Sequence, residues 1–483
     1  MFKTLRANII PLTVALSLLM ELVDATILAT AIPVIAHELG VPALSLKMAM
    51  AAYLIALAAF VPVSGWIADR FGAKRVFIAA LGVFAAASLL CAVQTTLPGL
   101  VIARALQGLG AAMMSPVGRL IVLRNTARSE ITRAMVYVTM PALIGPALGP
   151  VFGATLTTFF GWRAIFLINL PLAALAIALT LRHMPADGAP IAKPFDTMGF
   201  LLSALGLVAA MTGLSSLGEH VLPWQASLGL TGLGVLALVL YWRRAQGRAD
   251  ALLDPKLFRY RTFDIGVIGS MIFRLSNGAV LLLLPLFFQL TLKTGIVVSG
   301  ALVGLNALGA VSVRALVPRI LDRFGFKPVM ILAAVLRGLA IVGLASVSSL
   351  HDWQLVPLLV IGGAAQATVF TSINAIAYAE LGAQEISTGT AFIAMSRQLS
   401  LALGIAFAGV VLELAITAVG GVPASGVLPH SAFVIGFVAT GLMGPISALY
   451  FARLKPGDAD GLRRVQPAQR AGSHEPPTPE RAA

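Results

Sequence analysis

Charge is scarce in this sequence. Asp, Glu, Lys and Arg make up 11% of the 483 residues, against about 25% in soluble domains. Hydrophobic residues reach 58% and mean hydropathy is +0.93. A water-facing fold could not hide that much apolar surface, so the class is a multi-spanning, all-α membrane protein. Cysteine is nearly absent. The one thiol, Cys91, lies inside an apolar run; it excludes an intramolecular disulfide framework, speaks against a metal site and reads as a packing group. No GxxxxGK[ST] phosphate loop occurs, which argues against an ATP-driven pump. No polar stretch is long and patterned enough for a separate enzyme domain. The chain is read as a non-enzyme with neither cofactor nor metal.

What is abundant is apolar runs of spanning length, roughly twenty residues each. Fourteen are counted: 9–36, 46–66, 75–95, 98–122, 133–158, 164–182, 197–216, 223–242, 262–290, 296–317, 328–348, 353–378, 387–417 and 429–452. The first follows Lys3 and Arg6 like a secretory signal, but it runs past signal length and contains Glu21 and Asp24, so it reads as an uncleaved span. The net charge of +14 comes from lysines and arginines gathered in or beside alternate loops. Lys47, Arg163 and Lys293 fall on the other side, and Arg104, Arg274, Arg314, Arg337 and Arg397 fall within spans. That asymmetry places both termini in the cytoplasm and leaves no need for a nucleic-acid partner. The partners implied are the lipid bilayer and small molecules that cross it, and no oligomer is required. The five tryptophans (Trp66, Trp162, Trp224, Trp242 and Trp353) all fall near span ends, as interfacial rings do.

The chain is organised around a charged turn, Gly65-Trp66-Ile67-Ala68-Asp69-Arg70-Phe71-Gly72-Ala73-Lys74-Arg75. Much of it returns as Leu321-Asp322-Arg323-Phe324-Gly325-Phe326-Lys327, with Asp, Arg, Phe, Gly and Lys all displaced by 253 positions. Such a repeat implies a duplicated bundle. Positions 1–195 form one six-helix half and 262–455 the other. An inserted helix pair occupies 196–243, a cytoplasmic linker 244–261, and a disordered tail rich in Pro, Gly and charge 456–483.

Ionisable groups inside spans cost about 2.5–3.5 kcal/mol each and mark function by default. Glu21 and Asp24 lie three apart on span 1, on neighbouring faces of one helix. Two carboxylates so close in low dielectric resist joint ionisation, so one holds a proton and can exchange it for a cationic ligand. The alternative is a pair of acids neutralised by a fixed arginine, but one cation balances only one of them. Arg104 in span 4 is the arginine in question. Gln107 follows on the same helix, with Gly108 and Gly110 allowing close helix approach and Met114 offering a flexible thioether. At the 253-residue offset, Glu21 and Asp24 become Arg274 and Asn277. One half is therefore expected to handle protons while the other, through Arg274, Asn277 and Arg397, lines a cavity. Span 5 carries Gly145, Pro146, Gly149 and Pro150, which predict a helix that bends and packs tightly.

These motifs resemble the major facilitator superfamily, and within it the fourteen-span drug:proton antiporter branch. Gly65 to Arg75 resembles the GxLaDRxGRKxxL loop, with Ala73 where the family has arginine. Arg104-Ala-Leu-Gln107-Gly108 resembles the RxxQG motif of span 4. Gly145-Pro146-Ala-Leu-Gly149 resembles the antiporter motif, with Pro150 replacing its last glycine. Asp24 to Pro33 resembles LDxTIVNVALP, with Ala29 replacing the asparagine, and Trp162 to Pro171 is similar to WRWIFLINVP. The resemblance covers the whole chain. It implies a bundle of 14 transmembrane helices in two pseudo-repeated halves, in the cell membrane (the inner membrane of a Gram-negative cell). It also implies proton-coupled export of amphipathic, cationic small molecules by alternating access. It carries proton coupling to Asp24 and Glu21, tuned by Arg104, and it gives Asp69 stabilisation of the outward-facing state. Gly65, Arg70, Gly72, Lys74 and Arg75, with Asp322 and Arg323, belong to the same conformational switch.

A second reading keeps the fold and makes the cargo one metabolite or metal chelate. Arg274, Arg337 and Arg397 favour an anionic cargo if they face the cavity, whereas Glu21 and Asp24 favour a cation. An embedded enzyme would need a polar catalytic cluster in an outer loop, and none stands out. A sensor would usually append a soluble domain.

Overall fold

The computed structural model describes residues 9–126, 131–186, 195–216, 223–246, 248, 254–382, 385–419, 428–455 and 458, with some side chains within 131–147 and 386–391 left aside. We number the membrane helices α1 Ile9–Leu39, α2 Ala43–Phe71, α3 Ala73–Ala92, α4 Leu97–Asn125, α5 Ile131–Phe160, α6 Ala164–His183, α7 Thr197–Ser216 and α8 Trp224–Ala245. They continue as α9 Arg261–Thr291, α10 Ile296–Arg314, α11 Phe326–Ser346, α12 Leu355–Ile376, α13 Ile386–Ala418 and α14 His430–Phe451. Among the described residues, 13 helices are long and apolar enough to cross a membrane. α5 completes the fourteen with 30 residues. The predicted tail lies outside the described residues apart from Asp458, as do 247 and 249–253 of the predicted linker.

The helices outrun the apolar stretches at several ends. α2 reaches Phe71 rather than residue 66, because the charged turn is itself helical until Gly72. Gly72 and Gly325 stand at φ +95° and +82°, a region that side chains rarely adopt, so each can reverse the chain in a single residue. α9 contains two π turns, Ile265–Gly269 and Phe287–Thr291.

Packing repeats with the sequence. α1 lies on α5 and α6, α2 on α4, and α3 on α4 and α6; eight helices later, α9 lies on α13 and α14, α10 on α12, and α11 on α12 and α14. α7 and α8 pair with each other, and α7 leans on α2 and α13. The halves meet along α2–α13 and α5–α10, two contacts related by the same repeat.

The α1–α5 contact shows how small residues hold a half together. A Cβ at Gly145 would lie 2.8 Å from Leu22 Cβ, one at Gly149 would lie 1.9 Å from Thr26 Oγ1, and one at Gly153 would lie 2.3 Å from the Ile27 carbonyl oxygen. The motif is thus a smooth face on which α1 rests, with Thr30 Oγ1 donating to the Pro150 carbonyl at 3.3 Å. Gly149→Val is expected to force the two backbones apart and lower the thermal unfolding midpoint by several degrees, about 1–3 kcal/mol. Scanning fluorimetry of the purified protein checks this.

The even helix count puts both ends of the described bundle on one side, here the terminal face, with the far face opposite. At the far face the halves share one core: Ala279 to Phe288 of α9, Leu412 of α13 and Phe433 of α14 belong to the same apolar cluster as Val14 to Ala36 of α1. Toward the terminal face the second half has its own core around Phe273, Val317, Met330, Ile373 and Phe451. Polar contacts between halves lie on the far side too. Gln289 Nε2 donates to the Thr30 carbonyl at 3.0 Å, and Lys47 of α2 stands 3.9 Å from Glu413 of α13. The structure is closed at the far face and parted at the terminal face.

Candidate functional site between the two halves

Asp24 is fully engaged. Arg104 Nη1 donates to its Oδ2 at 2.5 Å, while Gln107 Nε2 and Asn169 Nδ2 donate to its Oδ1 at 2.9 and 3.0 Å. Ser88 Oγ accepts from both amides at 2.7 and 2.9 Å. Gln107 Oε1 in turn accepts from Arg104 Nη1 at 2.7 Å. The guanidinium lies over the Tyr53 ring, 4.3 Å from its centroid. Every member is buried, and five helices contribute: α1, α2, α3, α4 and α6. A buried ion pair survives only when its remaining lone pairs and protons are satisfied, and this network supplies most of those partners.

Glu21 is the opposite case. It is 2% exposed, and its Oε2 is buried without a hydrogen-bond partner. The Tyr53 hydroxyl beside it donates to the Glu21 backbone carbonyl at 3.3 Å, not to the carboxylate. The cations whose fields reach it are Arg397 of α13 and Arg119 of α4. Arg397 also acts on Arg274 of α9. Arg274 is 5% exposed, with its guanidinium 4.7 Å from the Phe370 ring centroid. One carboxylate and three arginines thus converge from α1, α4, α9 and α13, across the space between the halves.

The two acids expected to share a proton therefore sit in different surroundings. Arg104 takes Asp24 and leaves Glu21 to the arginines of the cleft. Of the residues expected to line a cavity, Arg274, Arg397 and the half-buried Asn277 lie on the helices that face the other half. Gln107 is committed to Asp24, and Met114 is fully buried in the core. Asn169, Ser88 and Tyr53 went unassigned in the sequence, as did Arg119. Only Asn169 had a signal, lying inside a motif; Arg119 looked like a loop-side cation.

The charged turn does mechanical work at the terminal face. Asp69 Oδ1 accepts from Arg124 Nη2 at 2.7 Å, tying the end of α2 to the end of α4. Lys74 Nζ donates to the Leu181 and Met184 carbonyls at the end of α6, at 3.3 and 2.6 Å. In the second half Lys327 Nζ repeats this on the Leu454 carbonyl after α14, at 2.8 Å. Such cations suit the negative ends of helices. Gly65, Arg70, Arg75 and Arg323 are exposed. Ala73 is buried, and Arg75, two residues on, points from another side of α3 and does not take its place.

The position that matches Arg124 is Ala377, so the second turn cannot repeat the Asp69–Arg124 pair. The pair is partly exposed, 16% and 44% for the two side chains, and worth at most about 1 kcal/mol of stability. We expect Asp69→Asn to abolish transport with little change in unfolding midpoint, and Asp322→Asn to be milder. Vesicle transport assays on both variants check this; equal, full activity would leave the turn as a topological signal only.

The sequence comparisons agree with this architecture. The family model described as Major Facilitator Superfamily matches residues 14–405 and 266–475. "Putative multidrug resistance protein MdtD" of Yersinia enterocolitica is 35% identical, over 94% of this chain and 96% of that protein. "Probable transport protein HsrA" of Haemophilus influenzae is 36% identical, over 93% and 96%. Among solved structures, a POT family transporter in complex with a thioalcohol-conjugated peptide superposes with a TM-score of 0.68 at 14% identity, over 91% of this chain and 94% of that one. A D-xylose–proton symporter does so with a TM-score of 0.64 at 16% identity, over 93% and 98%. At those identities the structures speak for the fold alone. The family model, the relatives that match end to end and the repeated packing of two six-helix halves lead to one conclusion: this chain is a membrane transporter belonging to the major facilitator superfamily.

Proposed function

We propose that this transporter is a proton-coupled exporter of amphipathic small molecules, with Glu21 as the exchangeable proton site. The observation that carries the reading is a buried carboxylate with no hydrogen-bond donor, placed where the two halves face each other, beside an acid already neutralised by Arg104. A carboxylate in such a place holds its proton until a cation arrives, because like charges in low dielectric repel. A cationic cargo entering from the terminal face, taken as the cytoplasm from the lysine and arginine asymmetry, displaces the proton. Reprotonation from the far side expels the cargo, and rocking of the two halves about α2–α13 and α5–α10 alternates access. The cargo shifts that equilibrium only by binding one state better than the other. The six-helix halves move as units, and α7–α8 ride with them. The relatives named for multidrug resistance support the export direction.

The convergence of Arg119, Arg274 and Arg397 favours a second reading, a dedicated exporter of an anionic metabolite or chelate. The two differ in sign. A cation competes with the proton and releases it on binding; an anion favours the proton and takes one up. Cargo-induced proton exchange by the purified protein in detergent, run with cationic, neutral and anionic compounds, decides between them. No proton exchange with any transported compound would overturn coupling altogether. Reporter fusions after Arg6 and Arg453 should report cytoplasm, and a fusion after His351 the outside.

A further inference from the structure

Arg337 of α11 lies apart from the cleft arginines. It is 2% exposed, and neither its Nε nor its Nη2 has a hydrogen-bond partner. Among the described residues no acidic group acts on it; burial alone bears on its charge. Nor is it one of the arginines that act on Glu21. A buried cation with no counter-charge is one of the costliest features a membrane bundle can carry.

The surroundings of its guanidinium are shaped for something small. Gly362 of α12 faces it, and a Cβ added there would lie 2.9 Å from Arg337 Nη1, 3.4 Å from Ala340 Cβ and 3.8 Å from the Asn306 Nδ2 of α10. The missing Cβ leaves a notch on which a guanidinium N–H and a neutral amide N–H converge from two helices. The three nearest atoms include no acceptor. Gln366, one turn along α12, has a buried Oε1 without a donor, but an amide cannot neutralise a charge even when it bonds to it. A charge-assisted hydrogen bond to an anion would both neutralise the arginine and satisfy the amide.

We propose that the notch between α10, α11 and α12 binds a small inorganic anion, a halide, which neutralises Arg337 inside the second half. The size of the notch favours a single-atom anion over phosphate or a cargo carboxylate. The proposal is independent of the proton-coupling reading, since the site shares no group with Glu21 or Asp24.

The test is the thermal unfolding midpoint of the full-length protein in detergent, titrated with sodium chloride or bromide against sodium gluconate at constant ionic strength. A ligand that binds the folded state raises the midpoint with the logarithm of its concentration, here by on the order of 2 °C per tenfold above the dissociation constant. That rise should vanish in Arg337→Met, which removes the charge. It should also vanish in Gly362→Ala, which keeps the charge and fills the notch. Phosphate in place of halide should give no rise. A wild-type midpoint indifferent to halide, or an equal rise in the variants, would overturn the site. If either variant fails to fold, Asn306→Leu replaces it and must show at least a tenfold weaker halide response; an unchanged response counts against the proposal.

Discussion

Glu21→Gln is expected to abolish cargo-induced proton exchange while leaving the protein folded. Glutamine keeps the shape and removes the titratable group. The wild-type carboxylate takes no hydrogen bond at its buried Oε2, so no donor is orphaned by the change. The size of the effect follows from charge. A cationic centre about 6 Å from the carboxylate, at an effective dielectric near 20, interacts with it by about 3 kcal/mol, roughly a hundredfold in proton affinity. Proton exchange should therefore fall from stoichiometric with cargo to undetectable, and uphill transport driven by a pH gradient should fall at least tenfold. Downhill cargo exchange should persist. Proton release measured in weakly buffered detergent solution, alongside counterflow in proteoliposomes, separates these outcomes. Retention of a released proton in Glu21→Gln would move the coupling site elsewhere; Glu413 on the far side, beside Lys47, would be the next group to test.

Asp24 and Arg104 should behave in the opposite way, as determinants of stability first. Asp24 accepts from Arg104, Gln107 and Asn169 at once, so Asp24→Asn leaves Arg104 as a buried charge without a counter-ion. Breaking one side of such a pair costs about 3–5 kcal/mol, which for a protein of this size corresponds to a midpoint lower by about 10 °C. Arg104→Ala should cost a similar amount and also empties the space over Tyr53. The double variant Asp24→Asn, Arg104→Gln removes both charges together and should recover a good part of the loss, as paired removal does when the partners act on one another. Thermal unfolding of the two singles and the double measures this. If the singles unfold like wild type while proton release disappears, the pair is the coupling site and Glu21 is not.

This reverses the weight that the span-1 motif gives to the two acids. The motif contains Asp24, and the resemblance carries coupling to it first. The hydrogen bonds instead support Asp24 as the fixed member and Glu21 as the free one. Trp162 shows a similar difference. It sits at a helix end, as an interfacial ring would, yet it is 1% exposed, and its indole N–H donates to Glu38 Oε2 at 2.6 Å. Arg163 beside it pairs with the same carboxylate, closing α1 onto the α5–α6 turn.

The sequence by itself determined the class, the fourteen crossings, the duplication and the two glycine turns. Each rests on something local: the length of an apolar run, a repeat in register, or a backbone angle that only glycine adopts readily. It also singled out Arg104 as the partner of the span-1 acids, because a buried charge demands one and few were on offer. Only the tertiary structure decided which acid that arginine takes, that Asn169 and Ser88 complete its network, and that Arg119 turns toward the cleft. It alone separated Met114, packed in the core, from Asn277 near the cleft. The reason is that these helices are apolar nearly all round. Lipid and protein core favour the same side chains, so a sequence carries little record of which face of a membrane helix meets which neighbour. For a buried polar group, that choice of face settles whether it is paired for structure or left free to bind a proton.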